Sequence, residues 1–221
     1  MPTVLVTGAN RGIGREIVDQ YGAAGWSVIA TCRDPDAADL PCETHALDVG
    51  EAAMVRDLVG ILDGRPIDLL WNNAGIYPDR GEASRAPDDA VWAEMLRIHS
   101  IAPILVARAL ADNVARSNRR IMAFTSSRMG SIGGNTSGGA YAYRSSKAAL
   151  NAAAKSLAID LGHRHIAVVL LHPGWVRTDM GTAAATLSTE ESVAGMKAVL
   201  EDIGPTDTGR FINYDGTEIA W

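Results

Sequence analysis

Cysteine is scarce in this chain of 221 residues: Cys32 and Cys42 stand alone, with no CxxC pair and no Cys/His cluster. A disulfide framework and a thiolate metal site are therefore not expected, and the two thiols read as reduced and partly buried. No long basic run is present either. Acidic residues outnumber basic ones by 26 to 20, for a formal net charge of -6. The chain thus lacks the electrostatic footprint for nucleic acid or an anionic membrane, and neither is expected as a partner. No apolar run reaches the length that spans a bilayer. Met1-Pro2-Thr3-Val4-Leu5-Val6 enters a strand-like segment without a basic leader, so a cytoplasmic location is expected. Repeats, low-complexity segments and linker-like stretches are also missing, which makes one domain over residues 1–221 the expectation. What remains is an ordinary globular composition, 47% hydrophobic and 21% charged, on a chain long enough to bury a sizeable core.

Short β-branched runs alternate with longer segments of helical period. Strands are expected at 4–7, 27–31, 45–49, 67–71, 121–125, 166–171 and 210–213. Helices are expected at 15–24, 51–62, 90–114, 142–161 and 190–202, with Pro103 kinking or interrupting the long middle one. This alternation implies right-handed crossovers and an α/β, doubly wound, Rossmann-like domain with a mostly parallel seven-stranded sheet, buried on both faces.

Between the first strand and the first helix runs Thr7-Gly8-Ala9-Asn10-Arg11-Gly12-Ile13-Gly14. Such a loop serves as a tight turn, or it brings backbone N–H groups at a helix N-terminus up to a phosphate. Its position in the first βα turn favours a dinucleotide. Its spacing, Gly-x-x-x-Gly-x-Gly, differs from the ordinary Gly-x-Gly-x-x-Gly. Further on come Asn72-Asn73-Ala74-Gly75 after the fourth strand, Ser126-Ser127 after the fifth, Tyr143-Arg144-Ser145-Ser146-Lys147, and Pro173-Gly174-Trp175-Val176-Arg177-Thr178 after the sixth. In this order and on these elements, the motifs resemble those of the short-chain dehydrogenase/reductase superfamily over nearly the whole chain. The run Gly174 to Gly181 and the ending Asn213-Tyr214-Asp215-Gly216 look like its branch of small carbonyl reductases, the sniffer- and C-factor-like group.

The resemblance implies an NADP(H)-dependent reduction of a small-molecule carbonyl substrate, with C-factor-like signalling as the alternative. It implies that Tyr143 is the proton donor, that Ser127 polarises the carbonyl, and that Lys147 grips the nicotinamide ribose. Asn73, Ala74, Gly75, Pro173, Gly174, Val176 and Thr178 are then cofactor contacts, and a homodimer through the two long helices is a further implication. The residues themselves support part of this. Tyr143 and Lys147 are spaced to share a helix face, although a surface pair has the same spacing. A phenol titrates near about 10, and a neighbouring ammonium lowers that value. The second strand ends in Arg33 rather than in the acid typical of NAD sites, and Asp34 before Pro35 reads as a turn. Arg33 and Arg11 are expected to converge on a 2′-phosphate. Asp48 and Val49 resemble the family's adenine-contacting pair, or Asp48 caps the next helix.

One position departs from the family pattern. His99 in His99-Ser100-Ile101-Ala102-Pro103 replaces an asparagine that helps to hold a relay water, so it acts as a relay or fills the water's place. His163 and His165 have no partner carboxylate or Cys nearby in sequence, and no metal is expected. The run Ser131 to Gly139 borders the substrate pocket or is a mobile loop. The Thr178 to Ser188 loop reads as a short, open lid.

Overall fold

Alternate side chains of nearly every apolar run go to opposite sides of one sheet in the computed structural model, which describes residues 1–78, 88–181 and 184–221. β1 (Thr3–Thr7) passes through the glycine loop into α1 (Gly12–Ala23), followed by β2 (Ser27–Cys32), β3 (Glu43–Ala46), α2 (Ala52–Leu62) and β4 (Leu69–Asn72). The middle of the chain forms α3 (Asp89–Leu96), a π turn (Arg97–Ile101), α4 (Ala102–Ala109) and α5 (Ala111–Ala115). β5 (Ile121–Thr125), α6 (Tyr141–Leu161), β6 (Ala167–His172), α7 (Thr189–Glu201) and β7 (Arg210–Asn213) complete it. The seven strands all pair in parallel in the order β3-β2-β1-β4-β5-β6-β7, a single Rossmann-like domain.

Leu5, Leu70, Phe124 and Leu170 pack with Leu58 of α2, Val106 of α4 and Leu150 of α6 on one face. Val6, Trp71, Val169 and Leu171 pack with Ile17 of α1 and Met196 of α7 on the other. Each such side chain contributes about 1.5–3 kcal/mol by leaving water, so the sheet's centre is the rigid part. The chain order reverses between β1 and β4, and ligands of such sheets bind at the carboxyl edge of that switch point.

One element differs from the sequence expectation, and a second is interrupted as expected from Pro103. β3 lies at 43–46, earlier than the expected 45–49, because it is a half-exposed edge strand without a continuous apolar run. The expected helix over 90–114 is broken, and the reason is Pro103. Proline has no N–H to bond the carbonyl of His99 and its ring crowds that carbonyl, so the backbone widens. The N–H of Ala102 then bonds the carbonyl of Arg97, five residues back, as in a π turn. Taken together, Asp89–Ala109 is long and apolar enough to cross a membrane by length and composition, contrary to the expectation that no run is. It carries the Glu94–Arg97 ion pair at 2.7 Å and packs on α6 as a core helix does.

Candidate active site

The glycine loop is held by the residues that follow β4. Thr7 Oγ1 accepts the backbone N–H groups of Asn73 and Ala74 at 3.0 and 3.1 Å. Asn73 Nδ2 donates to the carbonyls of Thr7 and Gly8, both at 3.2 Å, and its Oδ1 accepts from the Thr125 hydroxyl at 3.3 Å. The Asn73 amide therefore ties β1, β4 and β5 together at the edge. Gly8 has a φ of +65°, and a Cβ on Gly14 would stand 2.1 Å from the Gly8 carbonyl oxygen. Only glycine permits this approach. The loop delivers the start of α1, which has no side-chain cap, to a cleft of about 680 Å³. Free N–H groups at a helix start suit an anion.

The same cleft gathers the expected cofactor residues. Gly8, Asn10, Arg11, Gly12, Ile13 and Gly14 line it from the loop, and Arg33, Asp48 and Val49 from the ends of β2 and β3. Asn73, Ala74 and Gly75 line it after β4, and Pro173, Gly174, Val176 and Thr178 after β6. Arg33 is exposed and forms no ion pair with any described residue. Arg11, which lines the same cleft, pairs with Asp179 across the chain through exposed side chains. Asp34 accepts the N–H of Ala37 at 3.2 Å, as a turn residue does. Asp48 accepts the N–H of Gly50 at 2.9 Å and so shapes the turn before α2, whose N-cap is Glu51.

At the other end of the cleft, Ser127 follows β5, and the start of α6 brings Tyr143 and Lys147 to it. Burial pushes the Tyr143 phenol up to about 12, while a hydrogen bond with the Ser127 side chain pulls it down. Lys147 Nζ donates to the Thr125 carbonyl at 2.9 Å and lies 5.9 Å from the centre of the Tyr143 ring. Burial lowers its pKa to about 8. The ammonium does not bring the phenol below its ordinary value, contrary to the expectation from the spacing: the lysine is turned to Thr125, and burial dominates the phenol.

His99 is buried in the π turn with its ring edge-on to Tyr143, 5.4 Å between centroids. Its Nε2 accepts the N–H of Ile76 at 3.0 Å, which places the proton on Nδ1. Nδ1 donates to Ser146 Oγ at 2.8 Å, and Ser146 donates to the Tyr143 carbonyl at 2.9 Å. Burial, assisted by the Lys147 charge, lowers the imidazole pKa to about 2 and keeps it neutral. Both nitrogens are occupied by protein groups, so the water relay expected of His99 has no free nitrogen to pass through. The geometry is that of a positioning residue.

A family model described as short chain dehydrogenase matches residues 2–188. The chain is a short-chain dehydrogenase. It is 45% identical over 159 residues to the C-signal of Myxococcus xanthus, covering 71% of this chain and 93% of that protein. The carbonyl reductase Sniffer of D. melanogaster has a similar structure, with a TM-score of 0.91, 36% identity and full coverage of both chains (100% and 100%). An NADPH-bound carbonyl reductase from chicken fatty liver gives a TM-score of 0.90 at 32% identity, covering 100% of this chain and 99% of that one.

The structure of this short-chain dehydrogenase adds site residues that sequence reasoning missed. Tyr77 stacks on Tyr143, 4.4 Å between ring centroids at 30°. Its signal in the sequence is slight, an aromatic residue two positions beyond Gly75. Arg128, His172, Trp175 and Met180 line the same cleft. Tyr141 is exposed at the first turn of α6, away from the pairing seen for Tyr143. The run Ser131 to Gly139 contributes Gly134 to the lining, and it is anchored at its start: Gly133 N–H and Ser131 Oγ donate to the Trp221 carbonyl at 2.9 and 3.3 Å. Residues 182 and 183 of the expected lid lie outside the described residues. Among the described residues no three His, Cys, Asp or Glu side chains converge as a metal site would require, and Cys32 and Cys42 are free.

Proposed function

We propose that this short-chain dehydrogenase is a cytoplasmic, NADPH-dependent carbonyl reductase that converts a ketone or aldehyde to an alcohol. The observation that carries this reading is the Tyr143 phenol, kept protonated by burial and brought with Ser127 and Lys147 to the lining of one cleft. The residues fit the cofactor: Gly8 and Gly14 let the loop close tightly on Ala74 and on itself, and α1 offers uncapped N–H groups to the cleft. The unpaired Arg33 suits a 2′-phosphate, and the chicken enzyme binds NADPH. NADPH, when bound, supplies the hydride. Ser127 donates a hydrogen bond to the substrate oxygen, and Tyr143 delivers its proton there. Lys147, cationic at neutral pH, stabilises the phenolate left behind. His99 and Ser146 hold the backbone of Tyr143 in place while this happens.

The test is steady-state NADPH oxidation with a panel of aldehydes and ketones. Turnover dependent on Tyr143 supports the reading, and no turnover with any of them overturns it. A second reading, a cofactor-binding regulatory protein with little turnover, is favoured by the 45% identity to C-signal. NADPH binding without reduction of any carbonyl would select it. A homodimer through the outer faces of α4 and α6 belongs to the same proposal, since Ile101, Leu105 and Ile159 are exposed there. Size-exclusion with light scattering checks it.

A further inference from the structure

Arg128 follows Ser127 directly, one peptide unit of about 3.8 Å along the chain. It is exposed and lines the cleft, and its guanidinium has no hydrogen bond or ion pair with any described residue. The other arginines of the cleft are differently placed. Arg11 is paired with Asp179, and Arg33 lies at the β2 end. Arg144 donates to Gly138, Met129 and Ser137. Arg128 is therefore the one unengaged guanidinium beside Ser127 among the described cleft residues.

His172 lines the same cleft from the end of β6, one residue beyond Leu171, which pairs with Thr125 of β5. Its Nδ1 is buried without a partner, whereas Nε2 is not enclosed and has no protein partner. An N–H buried without an acceptor is costly, so the proton belongs on Nε2, where it is a donor towards the cleft. The Arg128 charge reaches this imidazole and, with burial, keeps it neutral. Asp215 acts on it in the opposite direction. Asp215 itself is exposed, and its Oδ1 accepts from the N–H and hydroxyl of Thr217.

We infer that Arg128, with His172 of the same cleft, receives a carboxylate on the substrate, so that the carbonyl compound reduced here is an oxocarboxylic acid with a short chain between its two groups. The inference rests on the carbonyl-reductase reading above. One guanidinium, one neutral donor and a nearby acid match a single negative charge better than a phosphate dianion, and the planar guanidinium takes both carboxylate oxygens. Trp175 and Met180, 51% and 37% exposed, offer apolar cover for the carbon chain.

The experiment compares levulinate and succinate semialdehyde with their methyl esters, in the native chain and in Arg128→Gln and His172→Gln. The expected result is a preference for the free acids in kcat/KM, carried by KM. Arg128→Gln should lower the acid-to-ester ratio roughly tenfold and His172→Gln severalfold. Equal use of acid and ester by the native chain, or an unchanged ratio in Arg128→Gln, overturns the inference. Calorimetric binding of levulinate to the NADP-loaded protein is measured in parallel. If no carbonyl is reduced, the functional proposal fails by itself. In that case binding that depends on Arg128 still supports the carboxylate site, and no binding overturns it.

Discussion

Lys147 is buried and Tyr143 half-buried, and their removal from water acts on them in opposite directions. It raises the acidic phenol to about 12 and lowers the basic amine to about 8, because in each case it disfavours the charged form. A proton donor needs to hold its proton at neutral pH, and this one does. Tyr143→Phe is expected to leave NADPH affinity and the urea midpoint nearly unchanged while kcat falls roughly a hundredfold to ten-thousandfold. Native kcat in that variant would remove Tyr143 from the chemistry. The alkaline limb of the reduction rate belongs to Lys147: activity should decline as pH rises through about 8, where the lysine loses its charge. In Lys147→Arg, whatever activity remains should lack that limb, since the guanidinium stays charged. Arg33→Ala should weaken NADPH about tenfold and leave NADH unaffected, as read by fluorescence titration. Equal losses for both cofactors would refute the 2′-phosphate assignment.

At the scale of elements, the β1–α1 loop and the π turn do the positioning. The loop works by close packing, which makes Gly14→Ala its sharpest probe. The added methyl would meet the Gly8 carbonyl at 2.1 Å, so the loop must shift. The expected cost is about 1–3 kcal/mol of stability, together with a loss of NADPH binding larger than that caused by Arg33→Ala. Binding and melting measured on one sample check both. The π turn works differently. By widening at Pro103 it carries His99 between the exit of β4 and α6, where it bonds Ile76 on one side and Ser146 on the other. The proline and a break in the long helix were legible from the sequence. The use made of the break was not, because the partners of His99 come from residues far along the chain.

For the whole molecule, the buried imidazole of His99 and the half-buried one of His172 weaken the fold towards acid. The His99 pKa falls from 6.5 to about 2 in the folded state. Between those values the unfolded chain binds a proton that the folded chain refuses, so stability is lost as pH falls below about 6.5. Over the step from pH 7 to pH 5 the loss from His99 is about 2 kcal/mol. His172, lowered to about 4, adds to it in the same direction. Urea unfolding at the two pH values should show this loss, and His99→Asn should show a shallower pH dependence. An identical dependence in native and variant chains would mean that His99 is not held neutral.

The order of strands and helices, the glycine loop, and the places of Ser127, Tyr143 and Lys147 were determined by the sequence alone. Each is a local matter, since periodicity, β-branched runs and glycine spacing act over a few residues and the sheet then places the strand ends in a row. The tertiary structure decided what the polar groups do once they are there. Arg11 meets Asp179, Lys147 turns to the Thr125 carbonyl, and Tyr77 stacks on Tyr143. His99 has both nitrogens occupied, while the Arg128 guanidinium and the His172 ring line the cleft without a hydrogen-bond partner among the described residues. These pairings depend on which strand ends and helices become neighbours in the order β3-β2-β1-β4-β5-β6-β7, and on which polar atoms burial leaves without water. Neither is encoded within any one local run of residues; both arise when the whole sheet closes under its helices.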